Sequence, residues 1–119
     1  MSFKSIASQL PSLIQEVESA LTTVLSAPSQ HSALETRSER LFELGNMQMM
    51  AQPGITDGSP LACCAEAVAS TTRLLVRVNL RELLKAAKNG DSGKVRTLAE
   101  KANTLLGKLS QQVADLQSA

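Results

Sequence analysis

Between residues 3 and 24 the apolar side chains Phe3, Ala7, Leu10, Ile14, Val17, Leu21 and Val24 recur at alternating spacings of four and three. That rhythm draws one apolar stripe along a helix and scatters over both faces of a strand. Steps of three and four return near the other end in Val95, Leu98, Ala102, Leu105, Leu109, Val113 and Leu116. Stripes this narrow suit long helices packed nearly in line with one another. Sheets are disfavoured from a second direction, because Phe3 and Phe42 are the only aromatic residues and strands draw on aromatic and β-branched side chains.

Proline and glycine divide the chain into four helical segments, about 2–26, 29–51, 60–89 and 92–117. Pro11 falls inside the first, so that helix is expected to kink there or to end near Leu10 and restart. Ala27-Pro28-Ser29 closes it. Ser29 is a candidate N-cap for the second segment, and Ser32-x-x-Glu35 is an alternative capping box. Gly45 sits in the middle of the second segment and weakens it. Met47 and Met50 are expected to fill core, with Met49 pointing away from them. The stretch 52–58, Gln-Pro-Gly-Ile-Thr-Asp-Gly, is the longest break. Ser59-Pro60 reads as an N-cap with proline at the first helical position, and Gly90 supplies the stop thirty residues on. A turn of two or three residues then starts the fourth helix at Asp91 or Ser92, which makes the last two helices a hairpin. The expected fold is all-α: one domain, residues 1–119, built as an up-down-up-down antiparallel four-helix bundle. A chain of 119 residues buries enough apolar surface for such a core without metals or disulfides.

The residue types narrow the function classes. With two aromatic side chains there is no platform for stacking bases, and a net charge of +1 steers the chain to neither nucleic acid nor a membrane. No apolar run is long enough for a transmembrane helix, and the start Met1-Ser2-Phe3-Lys4-Ser5 lacks the basic and apolar regions of a signal peptide. Cys63 and Cys64 are neighbours on a helix, about 100° apart, so they cannot bond to each other without strain. They are expected as small core residues of a cytoplasmic protein. His31, the one histidine, could share a metal with Glu35 four residues on, but two ligands make a poor site. No Glu-x-x-His pair is present, and Gly90-Asp91-Ser92-Gly93-Lys94 lacks the spacing of a phosphate-binding loop. No catalytic residue, metal or cofactor is expected.

The third helix is the most informative. One face collects Leu61, Cys64, Ala65, Val68, Ala69, Thr72, Leu75, Val76, Leu80, Leu83, Ala86 and Ala87, a wide core face on which Asn79 also falls. The other side carries Arg73, Arg77, Arg81, Lys85 and Lys88, with Leu74, Val78 and Leu84 among them. A solvated face has no need of three large apolar residues, so Arg73, Leu74, Arg77, Val78, Arg81, Leu84 and Lys85 are the expected partner-binding residues. Charge is split along the chain. Residues 1–60 hold three basic and six acidic side chains, and residues 61–119 hold nine and five. The acidic row Glu35, Glu39 and Glu43 could pair with the basic strip within one chain or between two.

Residues 61–76 look like the vinculin-binding helices of talin: Leu61, the small pair Cys64 and Ala65, Val68-Ala69, Thr72 and Leu75-Val76 fall on that pattern. Cys64, Thr72 and, further on, Asn79 depart from its usual residues. Talin-like, vinculin-like and focal-adhesion-targeting bundles are similar in their small-residue cores. The resemblance implies a cytoskeletal or adhesion adaptor offering Leu61, Val68, Leu75 and Val76.

The expected role is a non-enzymatic adaptor or scaffold subunit that docks an acidic amphipathic helix of a protein partner on the third helix. The alternative is a small helical chaperone or regulatory subunit, such as those of secretion systems, acting as a homodimer or heterodimer.

Overall fold

A computed structural model describes residues 2–119. The described residues form four helices and no strand. The first, α1, spans Phe3–Ser26. The second, α2, begins as Ser32–Phe42 and runs on through a π-helical stretch, Glu43–Gln48. The third, α3, is Pro60–Arg73, a π-helical stretch Leu74–Leu80, and Arg81–Lys88 in one unbroken rod. The fourth, α4, is Ser92–Ser118.

The helix ends follow local chemistry. Ser2 and Ser5 close a reciprocal capping box at the start of α1, with Ser5 N donating to Ser2 Oγ at 3.1 Å and Ser2 N donating to Ser5 Oγ at 2.9 Å. Ser59 Oγ accepts from Ala62 N at 3.1 Å, and Pro60 fills the first helical position. At the end of α3, Gly90 takes φ +71°. Its N–H donates to Ala87 and that of Asp91 to Ala86, the two bonds of a Schellman stop. Asp91 Oδ1 then accepts from Lys94 N and starts α4 at once. The second helix departs from expectation: it starts at Ser32, not Ser29, because Gln30 N donates back to Ala27 and closes a turn. His31 takes the N-cap position without a side-chain bond, so no capping box forms.

Pro11 does not divide α1, which continues through it. The ring removes the N–H that should reach the Ala7 carbonyl, leaving that acceptor orphaned inside the helix. Gln117, on α4, donates its Nε2 to Ala7 O at 3.2 Å, and Lys4 Nζ donates to Gln117 O at 3.3 Å. The missing bond of one helix is thus supplied by the tail of another.

All seven residues of the α1 stripe are buried, joined by Ile6, Leu13 and Ala20. They form one core with Leu34 and Leu41, the small face of α3 around Ala65, Val68 and Ala69, and Leu106, Leu109 and Val113 of α4. The contact face of α4 is rotated slightly from the expected one. Ala99 and Leu106 are fully buried, while Leu98 and Leu105 are only partly buried.

Nothing in the local sequence pattern announces the π-helical stretches. Each sits beside the other's shoulder. Gly45 in α2 packs against Thr72, just before the α3 stretch, so closely that an added Cβ would lie 2.8 Å from Thr72 Oγ1. Asn46 Nδ2 donates to Ala69 O at 2.9 Å beside it. Gly45 is therefore a point of close approach rather than a mere weakness. The methionines are the reverse of expectation: Met49 is fully buried, and Met47 and Met50 are exposed. Leu34 and Leu41 set the inner face of α2, and Met49 returns to it after about four turns, whereas Met47 and Met50 fall on the far side.

Candidate functional site

The basic strip of α3 divides into two environments because α3 is flanked by α2 on one side and α4 on the other. Toward α2 lies a groove of about 760 Å³ lined by Glu35, Glu39, Arg77, Arg81, Lys85 and Lys88 among others. Toward α4 lies a second, of about 440 Å³, whose walls include Leu74, Val78, Leu98 and Leu105. Val78 and Glu82 line both and form the ridge between them.

The α2–α3 groove is largely self-satisfied. Arg77 grips the Glu39 carboxylate through its two terminal guanidinium nitrogens, Nη2 donating to Oε2 at 3.1 Å, and lies 3.9 Å above the Phe42 ring. Lys88 Nζ is 3.5 Å from Glu35 Oε1. The acidic row therefore meets the basic strip within one chain. These pairs are about half exposed, so each contributes no more than about 1 kcal/mol. Their effect is to hold α2 in register on α3.

The seven expected site residues consequently differ in availability. Arg73, Leu74, Val78, Arg81 and Lys85 are exposed. Leu74 and Val78 are the notable ones, at 47% and 54% exposure on a chain whose other α3 aliphatics are mostly inside. Arg77 is not a free group, because Glu39 and Phe42 hold it. Leu84 is partly buried and packs on the core. Among the described residues no ion pair is made by Arg73, Arg81 or Lys85.

The α3–α4 groove was not legible as a unit, since its second wall comes from α4. Asn79 lies at its base, where Nδ2 donates to Leu98 O at 3.2 Å and ties the two walls together. Its Oδ1 is buried without a partner. The signal in the sequence was there in two pieces: an amide on a core face, and leucines at 98 and 105 that an apolar stripe alone placed fully inside.

Elsewhere the chemistry is sparse. Cys63 is exposed, contrary to expectation, since Ala62, Ala65 and Val68 set the buried face and leave it turned outward. Cys64 is half-buried, and both are free thiols. Among the described residues no three His, Cys, Asp or Glu side chains converge as a metal site. Asp57 has its carboxyl held below the usual range by the Ser59 backbone N–H, 2.8 Å away, and by the Ser59 hydroxyl. This bond braces the loop ahead of α3. No described helix is long and apolar enough to cross a membrane. The talin-like residues Val68, Leu75 and Val76 are buried in this chain's own core, and Leu61 is half-buried. No protein-family model, no curated protein and no solved structure matches the chain.

Proposed function

We propose that this chain is a non-enzymatic interaction module, an adaptor or scaffold subunit, that recognises an acidic amphipathic helix of a protein partner along α3. The observation that carries it is the pair Leu74 and Val78, two large aliphatic side chains left in solvent on an otherwise well-filled rod. Arg73, Arg81 and Lys85 stand around them with no ion-pair partner among the described residues. Apolar contact would supply the affinity and the cations the choice of partner. The proposed topology is up-down-up-down. It is supported by the tie of Lys4 to Gln117, the pairing of Glu39 with Arg77 and of Glu35 with Lys88, and the bond from Asn79 to Leu98. Free thiols at Cys63 and Cys64 suit a reducing, cytoplasmic setting.

The test is selection of a displayed library of amphipathic helices, each about six turns long, on the whole chain. Enriched helices should be acidic and should lose binding to a Val78→Asp variant whose helical content, read by circular dichroism, is unchanged. Helices that bind the variant equally well would overturn the proposal. The chaperone or regulatory-subunit alternative makes a different demand: as a homodimer the isolated chain should give twice 12.6 kDa by light scattering, and as half of a heterodimer it should be partly unfolded alone. The talin-like mode would require α3 to leave the bundle, because its offered side chains face inward.

A further inference from the structure

We propose that the partner helix seats in the α3–α4 groove and that a lysine row on α4 sets its register by meeting acidic residues seven apart. This rests on the interaction role above and assigns it a place and a partner chemistry.

Three observations separate this groove from its neighbour. First, its walls are apolar: Leu74 and Val78 from α3 face Leu98 and Leu105 from α4. The α2–α3 groove is instead crossed by the Arg77–Glu39 and Lys88–Glu35 pairs, which a docking helix would have to break. Second, the walls are held at fixed separation by the bond from Asn79 to Leu98 beneath them. A preset groove loses less freedom on binding than one that must form. Third, Lys94, Lys101 and Lys108 lie at spacings of seven on α4, all exposed, and Lys101 lines the groove itself. A seven-residue spacing returns to nearly the same helix edge, so the three cations run along one rim for about 21 Å at 1.5 Å per residue. None of them makes an ion pair among the described residues.

That rim decides between occupants. A second copy packed face to face would set the lysine row either against itself or against the α3 rim, where Arg73 and Arg81 outnumber Glu82, so either two-fold arrangement opposes like charges. An acidic helix meets the opposite condition. Its apolar stripe fills the space over Leu74, Val78, Leu98 and Leu105, and Glu or Asp at heptad spacing faces Lys94, Lys101 and Lys108. Glu82, on the α3 wall, is the one anion lining the groove among the described residues and favours a basic residue on the opposite flank of the visitor. The α4 rim is thus uniformly basic while the α3 rim carries Glu82 among its cations, and this inequality gives the visitor one preferred direction.

The experiment uses the displayed helix library on the full chain, followed by fluorescence anisotropy of synthesised winners against three variants. Lys101→Glu, within the groove, should weaken an acid-flanked helix about tenfold or more, and by several-fold more than Lys85→Glu, whose side chain lies beyond the ridge on the α2 side. A winner with its acids exchanged for lysine should recover on Lys101→Glu. Both substitutions are at exposed positions, and circular dichroism checks that each variant is folded. Loss on Lys85→Glu with none on Lys101→Glu would overturn the groove assignment and leave the interaction role standing. Winners indifferent to Val78→Asp would overturn both. A chain that dimerises through this face, becoming monomeric on Val78→Asp, would show a second copy as the occupant and overturn the acidic partner.

Discussion

Gln117→Ala removes a hydrogen bond that exists only because of a proline 106 residues earlier in the chain. The Ala7 carbonyl would lose its donor at 3.2 Å. Ala7 is fully buried, while the Gln117 side chain reaches it from an exposed position. A net hydrogen bond is worth about 0.5–1.5 kcal/mol, and partial access of water keeps the cost near 1 kcal/mol. With an unfolding entropy of about 2.1 cal/mol/K per residue, 119 residues give about 0.25 kcal/mol/K, so Tm should fall by about 4 °C. Pro11→Ala acts in the opposite sense. It restores an N–H at position 11, and a helix-interior proline costs about 3 kcal/mol relative to alanine. Proline also stiffens the unfolded chain, which returns up to about 1 kcal/mol, so the net gain should be about 2 kcal/mol, or about 8 °C. The decisive quantity is the coupling. Once the alanine introduced by Pro11→Ala donates its N–H to Ala7 O, Gln117 is redundant, and Gln117→Ala should cost only a few tenths of a kcal/mol. Thermal and urea unfolding of the four proteins in the cycle measures this. An equal cost of Gln117→Ala in the parent chain and in the Pro11→Ala variant would refute the compensation, as would a loss of stability on Pro11→Ala.

Three further outcomes follow from named contacts. Gly45→Ala gains about 1 kcal/mol of helix propensity but drives a Cβ to 2.8 Å from Thr72 Oγ1, so calorimetry should show net destabilisation of about 1–2 kcal/mol, which Thr72→Ala in the same chain should reverse. Asn79→Leu loses the bond to Leu98 but also removes a buried acceptor without a donor, and Leu98 O keeps its helix partner. Denaturant unfolding should therefore show unchanged or higher stability, by up to about 1 kcal/mol. Asp57 should titrate below the ordinary aspartate value in a carboxyl NMR titration, because its ionised form accepts from Ser59. A depressed folded-state pKa means the loop brace is fully present above the unfolded value of about 3.9 and is lost as pH falls through the folded one, so Asp57→Asn should flatten that part of the stability profile.

The helices were legible because their evidence is local and repeated. Seven α1 residues spaced by fours and threes define a face whatever lies opposite, and all seven are buried. Ser59-Pro60 and Gly90-Asp91 cap and stop helices by bonds that span three to five residues. What stayed illegible depends on a second helix. Whether Pro11 breaks α1 is decided by Gln117, at the far end of the chain. Gly45 costs α2 propensity in isolation and becomes an advantage only where Thr72 comes close. Cys63 and the methionines differ from expectation for a simpler reason: apolar character argues for burial, but angular position on the helix decides it.

The same distinction governs the site. A helical wheel of α3 gathers every cation on the outer arc and treats them as one surface, whereas its two neighbours divide that surface by what they bring. The second helix brings Glu35, Glu39 and the Phe42 ring, and so draws Arg77, an expected recognition group, and its neighbour Lys88 into links between the two helices. The fourth brings Leu98, Leu105 and more lysine, which satisfies nothing and leaves Leu74 and Val78 half open. An apolar floor without a cover is a cost in water, and the exposed cations beside it are free to pair; one acidic amphipathic helix would cover the first and engage the second. If raising salt from about 50 to about 500 mM weakens a selected helix steeply, the lysine rim contributes to its hold, because the screening length of exposed pairs shortens from about 14 to about 4 Å over that range. If binding is indifferent to salt yet still sensitive to Val78→Asp, the aliphatic floor alone holds the visitor, and the acidic chemistry assigned to it is wrong.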